Sequence, residues 1–539
     1  MKVSRRDFFG IAGGVGLVAA TASLSAFHLG PTSSTGEFLR SEVPLPERFS
    51  RPLPVPPVAV QARVPVGVPV NNTDGYRLVQ RAGSADIIPG LPTPIWGYDG
   101  IFPGPTIRAR SGRPVTVNVR NELSVPSVVH LHGGRTPADS DGYPTDLILP
   151  AGEAETWRAA RAVRREAVGE RTYRYPLEQR AATLWYHDHT MDFTGPNVYR
   201  GLAGFFLVDD SEQDALPLPG GDRDLPLMIC DRAFAADGSF RYPALSADQR
   251  VPGVQGSYMG GTLGDVVLVN GAAWPSCEVD AARYRLRMLN ASNARRFQLA
   301  LDPPPPNGPP FVQIGSDGGL LTGPVPRASV TLASAERADV IVDFGTYPVG
   351  TVVTLRNLLG DGSTADVLQF RVVRAARDDS SVPAVLSAVE TLDPADAVTT
   401  RTFAFQLRRA SMPSHPAGVH QGHDDSGLAS LMWTINGTVF DPAADLATPR
   451  LGDVEIWRLM TDLHHPVHVH LAPFQVLHRG GRSPGPDDRG WKDTIDLTPG
   501  ETAEIVIRFD GYPGRYVFHC HNLEHEDMAM MANFTVRDR

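Results

Sequence analysis

The sequence predicts an all-β protein built of three related barrel or sandwich domains in tandem, and three observations carry that reading. Short β-branched runs alternate with turn residues along most of the 539-residue chain. Val115-Thr116-Val117-Asn118-Val119 and Glu504-Ile505-Val506-Ile507-Arg508-Phe509 show the period of two expected of strands with one buried face. Long amphipathic helical patterns are scarce. One strand-like segment also recurs, as Val117-Asn118-Val119-Arg120-Asn121, Arg285-Leu286-Arg287-Met288-Leu289-Asn290 and Glu455-Ile456-Trp457-Arg458-Leu459-Met460. The copies are roughly 170 residues apart, the size of a domain, and Asn270-Gly271 and Asn436-Gly437 precede the second and third.

Taken in order, residues 1–30 read as a Tat-type signal peptide. Ser4-Arg5-Arg6-Asp7-Phe8-Phe9 precedes a Gly- and Ala-rich apolar run, and Ala20-Thr21-Ala22 offers a small-residue cleavage site. The run is too short and too rich in glycine for a membrane anchor. The expectation is export to the periplasm, the cell envelope or the medium. The proline-rich stretch from Glu42 to Val70 predicts an extended approach wrapping the surface. The domains are placed at 43–211, 212–376 and 400–539, with 377–399 as a linker.

The net charge of −10 argues against a nucleic-acid partner, which needs a concentrated basic face. The arginines between Arg158 and Arg180 are spread among apolar residues and read as a solvated strand-and-loop face. No further stretch could span a bilayer, so stable membrane insertion is not expected. Three cysteines make no disulfide scaffold, although a Cys230–Cys277 bridge stays open. Oligomeric state leaves no signal in the sequence.

The chemistry is concentrated in ten of the 16 histidines. They form four motifs: His130-Leu131-His132, His187-Asp188-His189, His465-Pro466-Val467-His468-Val469-His470, and His519-Cys520-His521 with His525. In a strand, residues i and i+2 share a face, so each His-x-His aims two imidazoles one way. Four such pairs aimed at one place are too many for one metal and suit a cluster of three. Cys520, between two cluster ligands, must face the other way. With His465, His525 and Met530 it makes a thiolate, two imidazoles and a weak thioether, the ligand set of a blue-copper electron-transfer site. Zinc sites favour several cysteines or about three ligands and fit this set poorly. No histidine occurs between Ser211 and Val398, so the chemistry falls to the first and third domains.

With these motifs in place, the sequence resembles the three-domain multicopper oxidases, in the branch of bacterial spore-coat laccase, bilirubin oxidase and phenoxazinone synthase. The likeness runs from about Val43 to Val536. It includes Trp96-Gly97-Tyr98-Asp99-Gly100-Ile101-Phe102-Pro103-Gly104-Pro105, His130-Leu131-His132-Gly133-Gly134, Gly315-Ser316-Asp317-Gly318-Gly319 and His519-Cys520-His521-Asn522-Leu523-Glu524-His525-Glu526-Asp527.

The resemblance implies three cupredoxin-like Greek-key barrels carrying four coppers per chain, one type 1, one type 2 and two type 3. By resemblance, His465, Cys520, His525 and Met530 bind the type 1 copper, and His130 and His468 the type 2. His132, His187, His189, His470, His519 and His521 bind the type 3 pair. It also implies that Asp141 and Glu526 support protonation of reduced oxygen. One departure is that Gly261-Thr262-Leu263-Gly264-Asp265 lacks the cysteine bridge of the spore-coat laccase.

The expected activity is laccase-like oxidation of a small phenolic or aromatic-amine reductant coupled to reduction of O₂ to water. The reductant is expected over the type 1 copper, where the His525 ring edge reaches the surface. A cuprous or other metal-ion oxidase is the alternative; its usual mark is a methionine-rich insertion, and the 11 methionines form none. A copper-free envelope relative would have lost its ligands. His415, His420 and His423 read as an exposed loop rather than an auxiliary copper site, and His464 as lining the approach to its neighbour.

Overall fold

The computed structural model describes residues 34–63, 73–410 and 430–539. The signal-like segment and His415, His420 and His423 lie outside these residues. Strands form three successive pairs of sheets. In the first pair, the strands Asp74–Ile88, Val115–Asn121 and Glu170–Tyr175 belong to one sheet; Gly104–Arg110, Ala203–Asp209, Ala182–Asp188 and Val129–His132 form the other. The second pair has seven and five strands, and the third has five and five. The strand that opens the third pair runs Ala397–Ala410 and so starts inside the stretch read as linker.

The repeated segment occupies the same place three times. Val115–Asn121 pairs in parallel with Asp74–Ile88, Arg283–Asn290 with Asp224–Arg232, and Val454–Thr461 with Ala397–Ala410. The asparagine that ends the first two copies has one job in both. Asn121 Nδ2 donates to the carbonyls of Val125 and Ile148, while its Oδ1 accepts from Leu123 N. Asn290 does the same with Arg295, Leu332 and Ser292. A short amide that satisfies three buried backbone groups is a strong reason for one residue type to recur at a strand end.

The domains share cores at their borders. On Ala182–Asp188, Leu184 and Tyr186 enter the first domain's core, whereas Trp185 packs into the second domain's core together with Phe205 and Leu207. Each buried side chain of this size contributes about 1.5–3 kcal/mol to the joint. Cys230 and Cys277 are both free thiols, so the bridge left open by the sequence is not formed. The arginine-rich stretch includes the short helix Ala154–Ala160, which the sequence reading missed, and two strands. Its arginines pair with neighbours, Arg158 with Glu166 and Arg164 with Asp146. Among the described residues no helix is long and apolar enough to cross a membrane.

Candidate metal centre

Strand alternation builds the site. On Val129–His132, Val129 and Leu131 enter the core, which turns His130 and His132 to the opposite face. The adjacent strand sets His187 opposite His130, and Trp185 opposite His132. In the third domain, Val467 and Val469 are core residues and His468 and His470 face away. On Gly514–Cys520, Tyr516, Phe518 and Cys520 belong to the core, leaving His519 on the far face and His521 one residue past the strand. Cys520 is registered with Val467, and His519 with His468.

These faces meet between the first and third domains. His130 stacks on His470 at 3.8 Å and His132 on His468 at 3.7 Å, centroid to centroid. Three all-histidine groups of potential ligand atoms result: His130 with His468 and His132; His132 with His187 and His521; and His189 with His470 and His519. Within them, Nε2 of His519 lies 3.3 Å from Nε2 of both His189 and His470, and the Nε2 atoms of His130 and His468 are 3.4 Å apart.

The outer ring nitrogens fix the tautomers. Nδ1 of His130, His187, His468 and His519 faces the carbonyls of Asp141, Asp188, Asp493 and Cys520 at 2.5, 2.8, 2.8 and 3.0 Å. A carbonyl only accepts, so Nδ1 carries the proton and the Nε2 lone pair points inward. Nδ1 of His470 lies 2.7 Å from Asp141 Oδ2. His132 is reversed, with Nε2 3.0 Å from Asp493 Oδ1. His132 Nδ1, His187 Nε2 and both nitrogens of His521 are buried with no partner, although all three residues converge on one point. Orphaned lone pairs cost free energy that a bound cation recovers. Burial, reinforced by neighbouring imidazoles, brings His187 down to about 3 and holds His130, His132, His468, His470 and His521 well below the ordinary range. For His189 too, burial dominates and brings it down to about 4. All are neutral at pH 7, the form that ligates.

A separate group lies on the core face. Cys520 Sγ is 3.4 Å from His465 Nδ1 and 3.5 Å from His525 Nδ1, and the two imidazole nitrogens are 3.0 Å apart. The short helix Leu523–Asp527 carries His525, and the left-handed turn at Ala529 (φ 74°) reverses the chain. Met530 then bonds backbone to backbone with both His525 and Cys520, and its side chain is buried in the same core. One soft thiolate with imidazoles suits copper better than any hard-cation site.

Two expectations are corrected here. The His525 ring does not reach the surface: it is 0% exposed, because its Nε2 meets the Gly260 carbonyl at 3.2 Å and Trp433 stacks on it at 3.8 Å. His464 lines no approach; it turns to Asp496, 2.7 Å away.

Asp141 and Glu526 are both buried against the cluster. Burial pushes Asp141 up to about 8, the hydrogen bond from Thr136 opposing. Burial works to raise Glu526 as well, but the imidazoles of His519 and His189 outweigh it and bring the carboxyl down to about 2. Its oxygens stand 3.1 Å from His519 Nδ1 and 3.5 Å from His189 Nδ1. Trp185, Asp493, Trp433 and Gly260 were missed in the sequence. Only Trp185 left a trace there, two residues before His187 on the same strand face.

An all-β fold with a histidine cluster beside a single-cysteine site defines a copper-binding oxidoreductase with O₂ as acceptor. Sequence profiles described as Multicopper oxidase match residues 81–213 and 411–539. The chain is 37% identical to a laccase of Bacillus subtilis over 498 residues, 83% of this chain and 91% of that protein. It is 33% identical to bilirubin oxidase of Albifimbria verrucaria over 526 residues, 90% of this chain and 81% of that protein. The crystal structure of laccase from Pediococcus acidilactici superposes with a TM-score of 0.76 at 29% identity, covering 93% of this chain and 96% of that one. The chain belongs to the multicopper oxidase family, and its domains are cupredoxin-like. Within that family it is laccase-like.

Proposed function

We propose that the protein couples one-electron oxidation of small phenolic or aromatic-amine donors to four-electron reduction of O₂ to water, using four coppers. His465, Cys520, His525 and Met530 hold the type 1 copper. His130 and His468 hold the type 2, while His132, His187 and His521 hold one type 3 copper and His189, His470 and His519 the other. The observation that carries this reading is the placement of Cys520 in one site while its two chain neighbours, His519 and His521, belong to the other. Bound copper supplies one-electron redox chemistry at the cysteine site and oxygen reduction at the cluster.

The protein's own residues do the rest. The Cys520 backbone links the two sites covalently. Trp433 and the Gly260 carbonyl shield and orient His525, so the reductant does not meet the bare imidazole. Asp141 and Glu526 face one cluster with their acidities driven apart, the pattern of a proton donor and a proton acceptor. Four protons are needed per O₂, and both carboxyls sit within reach of ligand nitrogens.

Export by the twin-arginine route, with work outside the cytoplasmic membrane and no nucleic-acid partner or membrane insertion, completes the proposal. It rests on Arg5-Arg6 and on the net charge of −10. Lysine at both positions 5 and 6 should leave the protein in the cytoplasmic fraction; normal export of that variant would exclude the route. For the enzyme itself, purified copper-loaded protein is screened with 2,6-dimethoxyphenol, o-aminophenol, bilirubin and Cu(I). Turnover of the aromatic donors ahead of Cu(I) is expected, and oxidation of Cu(I) alone refutes the substrate class.

A further inference from the structure

We infer that Arg337, in the histidine-free second domain, is a positioning residue for the cluster: it locks Asp493 in the orientation that fixes the tautomer of His132. The inference rests on the proposed role of His132 as a type 3 ligand.

His132 presents Nδ1 inward, the reverse of the cluster histidines held by backbone carbonyls. Its Nε2 lies 3.0 Å from Asp493 Oδ1 and 3.2 Å from Thr494 Oγ1, and its Nδ1 is buried with no partner. Several other cluster histidines orient on backbone carbonyls, which the strands themselves hold in place. His132 depends on a carboxylate from the third domain, whose side chain could rotate. If Asp493 swung away, the ring could flip or move its proton to Nδ1, and that nitrogen would no longer be a ligand.

What prevents rotation is a bidentate fork. Arg337 Nη1 reaches Asp493 Oδ1 at 2.7 Å and Nη2 reaches Oδ2 at 2.5 Å. The remaining guanidinium donors are spent on carbonyls: Nε on Thr183 at 3.0 Å, Nη1 on Ala335 at 3.1 Å and Nη2 on Asp317 at 3.0 Å. All five N–H groups are used, and they bind residues of the first, second and third domains. The backbone N of Arg337 also donates to Asp317 Oδ1 at 2.8 Å, and Lys492, beside Asp493, lies 3.2 Å from Asp317 Oδ2 and 3.1 Å from Glu336 Oε1. The fork presses against the residue after His132. A Cβ on Gly133 would come within 2.8 Å of both Arg337 Nη2 and Asp493 Oδ2. Arg337 and Asp493 are 2% and 5% exposed, so water does not substitute for either partner. Lysine keeps the charge of Arg337 but cannot supply the planar fork.

The test is Arg337→Lys in the copper-loaded protein, with Arg327→Lys as control. Arg327 also bridges the second and third domains, to Asp487 at 2.6 Å, but touches no histidine. In Arg337→Lys, copper affinity at the His132 position should fall about 10- to 100-fold. The blue band of the cysteine site should persist, the near-ultraviolet band of the coupled pair should be lost, and the remaining type 3 copper should become visible by EPR. Arg327→Lys should keep the parent's spectra. Parent-like copper content and EPR in Arg337→Lys, or equal losses in Arg327→Lys, overturn the inference in favour of a plain interdomain staple. If Arg337→Lys fails to fold, Asp493→Asn decides by the same readouts. A parent protein without a coupled pair refutes the copper assignment itself, a result separable from the others.

Discussion

The cysteine site and the histidine cluster share one alternating strand, Gly514–Cys520, and differ in what supports them. The ligands of the cysteine site all come from the third domain, and Cys520, His525 and Met530 follow one another within a short turn. The cluster draws its imidazoles from two domains, and its His132 takes its hydrogen-bond partner from a third-domain carboxylate held by the second domain. The first site is gathered within one domain, although its His525 also leans on the Gly260 carbonyl of the second. The cluster exists only when three domains are docked, so it is the part a distant substitution can damage.

Single substitutions should separate the two sites. Cys520→Ser should abolish the blue colour and all oxidase activity while the near-ultraviolet cluster band remains, as read by absorption and metal analysis; a protein that stays blue breaks the assignment. Glu526→Gln should slow reoxidation of the reduced enzyme by O₂ about 100-fold, because the amide keeps size but cannot exchange a proton. Anaerobic stopped-flow bleaching should proceed at the parent rate, and equal slowing of both halves denies a proton role. Trp433→Ala should cost about 3 kcal/mol of stability and alter the blue band, since it removes the ring stacked on His525. Its cluster spectrum should not change, and chemical denaturation with spectral detection checks both halves. Met530→Leu should raise the type 1 potential with copper retained, because a thioether stabilises Cu(II) and an apolar side chain does not. An unchanged potential in a redox titration passes the role to Met528 or Met531.

The sequence was most informative where chemistry follows local periodicity. Alternation alone sets His519 and His521 against Cys520, and the recurring Asn121 and Asn290 mark equivalent strand ends. It was silent where partners are distant in the chain. His132 and Asp493 are 361 positions apart, and His525 and Gly260 are 265 apart. No periodicity encodes such pairs. Exposure misled for the same reason: a ligand histidine in a short turn looks accessible until a loop of another domain covers it. The seven-residue helix Ala154–Ala160 is too short to show an amphipathic repeat.

The central claim, that electrons gathered at the cysteine site are used together at the cluster, is tested most directly by stoichiometry. An oxygen electrode coupled to an optical assay of a one-electron aromatic donor measures both substrates in one vessel, with catalase added at the end to reveal peroxide. Four donors oxidised per O₂ consumed, and no oxygen returned by catalase, is the predicted result. Two donors per O₂, with half the oxygen returned, would show that the cluster releases peroxide and would contradict the account.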